Sequence, residues 1–167
     1  MRYKTLGTTG EKLSALTLGT WGIGGTGWGE TSQSNSLAAI DRMLELGVNL
    51  VDTAPVYGFG NPGEQDFGFG CAERLLAKAL KGRRDKVFLV TKCGLNYDRS
   101  KGPSSAYRSM SAQEIREGCE NSLRRLGTDY LDLLLVHWPD GKTPLEEVAQ
   151  AMEDLIRRGL IKYYGVS

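Results

Sequence analysis

The chain has 167 residues, 40% of them hydrophobic, and its 21 basic and 20 acidic side chains leave a formal charge of +1. That length suits one domain of ordinary size, and the hydrophobic share excludes wholesale disorder. The charges form no basic stripe of the kind that marks a nucleic-acid surface, and no apolar run approaches the ~20 residues of a membrane span.

Tyr3 to Leu6 and Leu13 to Leu18 flank Thr8-Thr9-Gly10-Glu11, a turn in which Gly10 can take a positive φ. The start of the chain therefore reads as a hairpin, running into a first parallel strand around Leu16–Thr20. A glycine-rich loop follows from Gly22 to Gly29. Leu37, Ile40 and Leu44 then recur at helical spacing, with Gly47 as a stop. Val48–Val51 is a second strand. Ala72, Leu75, Leu76 and Ala79 predict a helix from Cys71 to Leu80. The short basic run Lys81–Lys86 belongs to a solvated helix-to-strand connection, and Val87–Val90 is a third strand.

Ser111-Ala112-Gln113-Glu114 is a capping box, and Ile115, Cys119, Leu123 and Leu126 continue on one helical face to Gly127. Leu131–Val136 is nearly free of polar residues, as expected of a fourth strand buried on both faces. Thr143-Pro144-Leu145-Glu146 opens a helix with Thr143 as cap, and Val148, Met152, Leu155 and Ile156 form its apolar face up to Gly159. Ile161–Val166 is a fifth strand, followed by Ser167.

Strand and helix thus alternate four times before a last strand, and no linker or composition shift divides residues 1–167. The class is α/β with a parallel sheet. An open doubly wound sheet fits this length, whereas an eight-fold barrel takes ~250 residues. Local pattern alone favours the open sheet. Met1-Arg2-Tyr3-Lys4-Thr5 lacks the apolar segment of a signal peptide. Cys71, Cys93 and Cys119 show no metal or redox spacing, so free thiols, a cytoplasmic protein and no metal are expected.

Gly22-Ile23-Gly24-Gly25-Thr26-Gly27 and Gly58-Phe59-Gly60-Asn61-Pro62-Gly63 both match G-x-G-x-x-G. A dinucleotide fingerprint needs those glycines to open a helix directly after a strand, with an acid ~20 residues on. Asp52 lies well beyond that spacing from Gly22, and Pro62 leads into more loop. Both matches fail on context.

Asp52, Tyr57, Lys92 and His137 sit just past the C-terminal ends of three predicted strands. Parallel strands alternating with helices bring those ends to one face, where α/β proteins bind ligands and do chemistry. An acid, a phenol, an amine and an imidazole gathered there can share and move a proton, which marks the chain as an enzyme. Singly, each has an ordinary structural reading; the joint occurrence carries the argument.

Asp52-Thr53-Ala54-Pro55-Val56-Tyr57-Gly58 resembles a motif of the aldo-keto reductase family. Gly19-Thr20-Trp21, Val90-Thr91-Lys92, Leu126-Gly127-Thr128-Asp129-Tyr130-Leu131-Asp132 with His137-Trp138-Pro139, and Gly165-Val166-Ser167 resemble further family motifs, in order. The resemblance implies a (β/α)8 TIM-type barrel preceded by an N-terminal hairpin, and so reverses the open-sheet preference. It implies that this chain is the first half of that single domain, completed by a C-terminal half or a second copy. Reduction of aldehydes and ketones with NADPH, or with NADH, is the implied activity; a regulatory half-barrel that needs a partner chain is the alternative.

By the same resemblance Tyr57 is the acid, Lys92 and Asp52 tune it, and His137 orients and polarises the carbonyl. Trp21 and Trp138 are expected to wall the substrate pocket with Tyr57 and His137. Gly19, Thr20, Trp21, Asp52 and Ser167 are expected on the cofactor side. Phe59 to Gly70 is longer and richer in glycine than the family's connection, and is expected to be a mobile loop shaping substrate entry.

Overall fold

The computed structural model describes the chain apart from residues 26–28, 30, 31 and 62. Thr26, Gly27 and Pro62 of the two glycine patterns therefore lie outside the described residues.

The N-terminal hairpin forms as expected. Strand β1 (Tyr3–Thr5) pairs antiparallel with β2 (Lys12–Ser14), with Tyr3 opposite Ser14. Gly10 takes φ 81° in the turn, a conformation that costs glycine nothing. Ser14 staples the hairpin to the base of the sheet: its hydroxyl accepts from the Asn49 and Leu50 amides, and its own amide donates to Asn49 Oδ1 at 2.7 Å.

Five parallel strands follow in chain order, namely β3 (Thr17–Gly19), β4 (Leu50–Asp52), β5 (Phe88–Cys93), β8 (Leu131–Val136) and β9 (Ile161–Val166). Helices α1 (Gln33–Glu45), α2 (Cys71–Ala79), α3 (Ala112–Leu126) and α4 (Leu145–Arg157) make the crossovers. A short antiparallel pair, β6 (Leu95–Asn96) and β7 (Tyr107–Arg108), rises from the β5–α3 connection.

Two apolar clusters show which face is which. The larger joins Val51, Leu89 and Leu134 of the strands to Ile40, Leu76, Cys119, Met152 and Leu155 of the helices. The smaller, on the opposite face, holds Leu13, Phe88 and Val90 with Leu50, Leu133, Leu135 and Tyr163. Burying a leucine such as Leu155 fully is worth about 1.5–3 kcal/mol. With strands in sequential order and right-handed crossovers, every helix falls on one side. A doubly wound sheet carries helices on both. The local preference for an open sheet is thus wrong, and the architecture is part of a (β/α) barrel.

Several local readings are also corrected. Strand β5 runs on to Cys93, because its polar residues Thr91 and Lys92 are buried with partners. Thr143 does not cap α4; its hydroxyl donates to Asp140 Oδ2 at 2.7 Å, and Pro144 takes the N-cap position. The basic run is not simply solvated. Arg83 pairs with Asp41, and Arg84 donates to Asp132 Oδ2 at 2.7 Å with only 16% of its side chain exposed. Ser111 caps α3 as the capping box predicts, accepting from the Glu114 amide.

Candidate active site

Register places the four expected residues together. Gly19 stands opposite Asp52, Asp52 opposite Val90, and Lys92 opposite Leu135 in adjacent strands. Asp52 ends β4, Lys92 lies near the end of β5, and His137 follows β8, its amide donating to the Cys93 carbonyl at 2.9 Å. Tyr57 is carried by the turn after β4, where its amide donates to the Ala54 carbonyl at 3.1 Å.

Lys92 is 5% exposed, and its ammonium has three acceptors: Asp52 Oδ2 at 2.6 Å, the Thr53 carbonyl at 2.9 Å and the Tyr57 hydroxyl oxygen at 2.9 Å. The Tyr57 hydroxyl in turn donates to Asp52 Oδ1 at 3.2 Å. An ammonium offers three donors, and all three are used. Burial lowers the Lys92 pKa, while Asp52 and then Glu73 oppose that fall. Burial, followed by the Asp52 charge and hydrogen bond, pushes the Tyr57 pKa well above the ordinary phenol value. The resting site thus holds a protonated phenol.

The His137 ring meets Tyr57 edge-on, with centroids 6.1 Å apart, and stacks on Trp138 at 3.7 Å. Burial first, then the Lys92 charge, lowers the His137 pKa to about 4, with Asp52 acting in the opposite sense. The imidazole is therefore neutral at physiological pH and carries one N–H to donate.

Trp21 stacks beside Tyr57 at 6.2 Å and is 56% exposed. Thr20 is fully buried, and both its amide and its hydroxyl donate to the Asp52 carbonyl at 3.0 Å, so it pins the acid's backbone. Gly19 is exposed, with no neighbour within 4 Å of where a Cβ would stand. It borders a concavity of about 390 Å³ whose walls include Asp52, Leu50, Val90 and Leu135. Ser167 follows β9, and its amide donates to the carbonyl of Val136, the residue before His137, at 2.9 Å.

The glycines serve packing. Gly22–Gly24 forms a single 3-10 turn that opens no long helix. A Cβ on Gly24 would come within 2.6 Å of the Gly58 nitrogen, and one on Gly58 within 2.1 Å of Cys71 Sγ. The two loops touch backbone to backbone. Phe59 and Phe69, near the two ends of the glycine-rich segment, pack against each other and against Tyr97, with ring centroids 4.7–5.2 Å apart.

One buried charge escaped the sequence reading. Glu73 of α2 is fully buried and accepts from the Thr91 hydroxyl at 2.7 Å and from Arg125 Nε at 2.6 Å. Its signal was available: an acid between Ala72 and Leu75 sits within the apolar arc of α2, and buried acids are rare unless paired.

A chain-ordered parallel sheet with helices on one face, and an acid–lysine–phenol cluster at its strand ends, is the frame of a barrel enzyme's catalytic face. The sequence model of the Aldo/keto reductase family matches residues 15–167, and the chain belongs to that family. It is 42% identical to the aldo-keto reductase YhdN of Bacillus subtilis, over 100% of this chain and 47% of that protein. It is 36% identical to the NADH-specific methylglyoxal reductase of Escherichia coli, over 100% of this chain and 52% of that one. The solved holo form of the aldo-keto reductase AKR11C1 from Bacillus halodurans superposes with a TM-score of 0.84 at 34% identity, covering 100% of this chain and 50% of that structure. The chain spans about half the length of the relatives it matches. Among the described residues no helix is long and apolar enough to cross a membrane, and no cluster of potential metal ligands occurs.

Proposed function

We propose that this chain carries the proton-transfer half of an NAD(P)H-dependent carbonyl reductase. The observation that carries the reading is the three-acceptor Lys92 ammonium, which joins Asp52 and Tyr57 into one hydrogen-bonded unit beside a neutral His137. The family's named reductases support the same chemistry.

The residues present fit a nicotinamide. Gly19, at the C-terminal end of β3 with nothing within 4 Å of where a Cβ would stand, leaves the strand-end face beside Asp52 open to the close approach of a flat ring. Gly19, Thr20, Trp21, Asp52 and Ser167 are the residues of this chain proposed on that side. A bound reduced nicotinamide supplies the hydride. NADPH is the proposed donor, with NADH the comparison to run against it.

Hydride arrival at a carbonyl carbon leaves negative charge on oxygen. His137 donates its N–H to that oxygen and lowers the cost of the charge. Tyr57 turns its O–H from Asp52 to the same oxygen and releases the proton. Lys92 keeps donating to the phenol oxygen, so the tyrosinate forms beside a fixed positive charge. Asp52 holds the lysine in place and charged. Trp21 and Trp138 flank the carbonyl. The product is an alcohol, and one proton has left Tyr57.

The only partly covered apolar inner face and the edge strands β3 and β9 support completion of the barrel by further chain or by a second copy. A half-barrel acting only with a partner chain is the second reading, favoured by the same edges. The free thiols Cys71, Cys93 and Cys119 are consistent with a cytoplasmic setting. Reduction of a reactive aldehyde by the protein at its native length, followed as NADPH and NADH consumption, tests the proposal; no turnover with either cofactor overturns it.

A further inference from the structure

We propose that the buried Glu73–Arg125 ion pair is a positioning device for Lys92, fixing the strand at Thr91 and setting the field in which the lysine and Tyr57 hold their protons. The inference rests on the carbonyl reductase reading of the same site.

The geometry is specific. Glu73 has no exposed surface, and its two oxygens are divided between the Thr91 hydroxyl at 2.7 Å and Arg125 Nε at 2.6 Å. Thr91 is also fully buried and immediately precedes Lys92. Side chains alternate across a strand. Thr91 therefore points to the helices while Lys92 points to the barrel interior, and anchoring one fixes the direction of the other.

Arg125 extends the link to the loop that carries Tyr57. Its guanidinium lies 5.5 Å from the Phe69 ring, and Nη2 donates to Ser122 Oγ at 3.1 Å. Gly70 lets the side chain pass: φ there is +75°, and a Cβ would stand 2.2 Å from Arg125 Cδ. The Gly70 amide donates to the Pro55 carbonyl at 2.5 Å, in the turn that leads to Tyr57.

Stability does not explain the pair. Replacing a buried ion pair by apolar residues of similar volume is often neutral or favourable. What charge supplies, and packing does not, is electrostatics. The groups around Lys92 are Asp52 from β4, Tyr57 from the following turn and His137 after β8 on its own side, and Glu73 from α2 across the strand, with Arg125 and the Cys119 thiol of α3 behind Glu73. Glu73 favours the charged lysine, and Arg125 balances Glu73.

The sign of each perturbation follows. Glu73→Gln leaves Arg125 unbalanced, and added positive charge promotes proton loss from both Lys92 and Tyr57. The alkaline limb of kcat/KM should then move to lower pH by on the order of one unit, as for a unit charge at about 10 Å in an effective dielectric near 20. Arg125→Met should move the limb to higher pH, and the double variant should return it to the parent position. Thr91→Val changes no charge; it should lower kcat with the limb unmoved, and Thr91→Ser should restore kcat.

The experiment is the pH profile of NADPH-dependent aldehyde reduction by these variants at native chain length. The ordered movement of the limb supports the proposal. Loss of rate without that order reduces Glu73 to packing and overturns it. Should Glu73→Gln not fold, the Arg125→Met and double variants decide by the same ordering. A parent that reduces no aldehyde overturns the carbonyl reductase reading itself, and the inference with it. A parent that turns over and depends on Tyr57, but whose limb ignores Glu73 and Arg125, overturns the inference alone.

Discussion

Lys92 donates to the Tyr57 hydroxyl at 2.9 Å while that hydroxyl donates to Asp52 at 3.2 Å. The phenol keeps its proton and points it at a carboxylate, and the lysine, donating to three acceptors, can occupy this position only as an ammonium. In the proposed mechanism the hydroxyl rotates from Asp52 to the substrate oxygen while the Lys92 contact persists.

Asp52→Asn should therefore shift the alkaline limb of kcat/KM to lower pH. Lys92 loses the counter-charge that opposes the effect of burial, and Tyr57 loses the neighbour that, after burial, does most to raise its pKa. Both changes have the same sign. A limb that stays in place in Asp52→Asn would show that Asp52 does not govern these protons.

His137 makes a second pH prediction. An unfolded histidine titrates near ~6.5, and His137 in the fold near about 4. Between those values the unfolded chain binds the extra proton. The stabilisation is thus full above the unfolded pKa and is lost as pH falls towards the folded one. Urea midpoints at pH 7 and pH 5 should fall further for the parent than for His137→Gln. Equal falls would contradict a neutral, partly buried imidazole. In kinetics, His137→Ala should cost roughly 10²–10³ in kcat, the scale of a lost oxyanion donor, and His137→Gln less.

Gly58→Ala should lower both stability and activity. The residue sits at φ +95°, and a Cβ would meet Cys71 Sγ at 2.1 Å and the Gly24 carbonyl at 2.6 Å. Strain of this kind costs more than ~1 kcal/mol, and relief moves the neighbouring Tyr57. Thermal denaturation and kcat should fall together; an unchanged kcat would mean the turn can shift without displacing the phenol.

Much of this was legible in the sequence because it is written locally. Strand β8 is almost wholly leucine and valine, β9 is rich in β-branched and aromatic residues, and their observed limits match the predicted ones. The Ser111 capping box names its own hydrogen bond. What stayed hidden depends on side-chain partners that no local pattern names, some distant in sequence and one only three residues away. Thr91 and Lys92 extend β5 only because Glu73 and Asp52 satisfy them. Thr143 has the right spacing for a cap, but Asp140 captures its hydroxyl. The side of the sheet on which the helices pack is a property of the curved whole, so pattern alone chose the wrong sheet and the family resemblance chose the right one. The four proposed site residues stand out in the sequence as strand-end groups, while Glu73 and Arg125, one layer behind, carry no motif.

The most direct measurement is kcat/KM for aldehyde reduction by Tyr57→Phe at native chain length, with NADPH binding followed in parallel. Removing a general acid costs typically 10²–10⁴ in rate. The account predicts a loss on that scale with cofactor affinity unchanged, since the phenyl ring keeps its place between Trp21 and His137 and only the proton is gone. Reduction by Tyr57→Phe at the parent rate would contradict it.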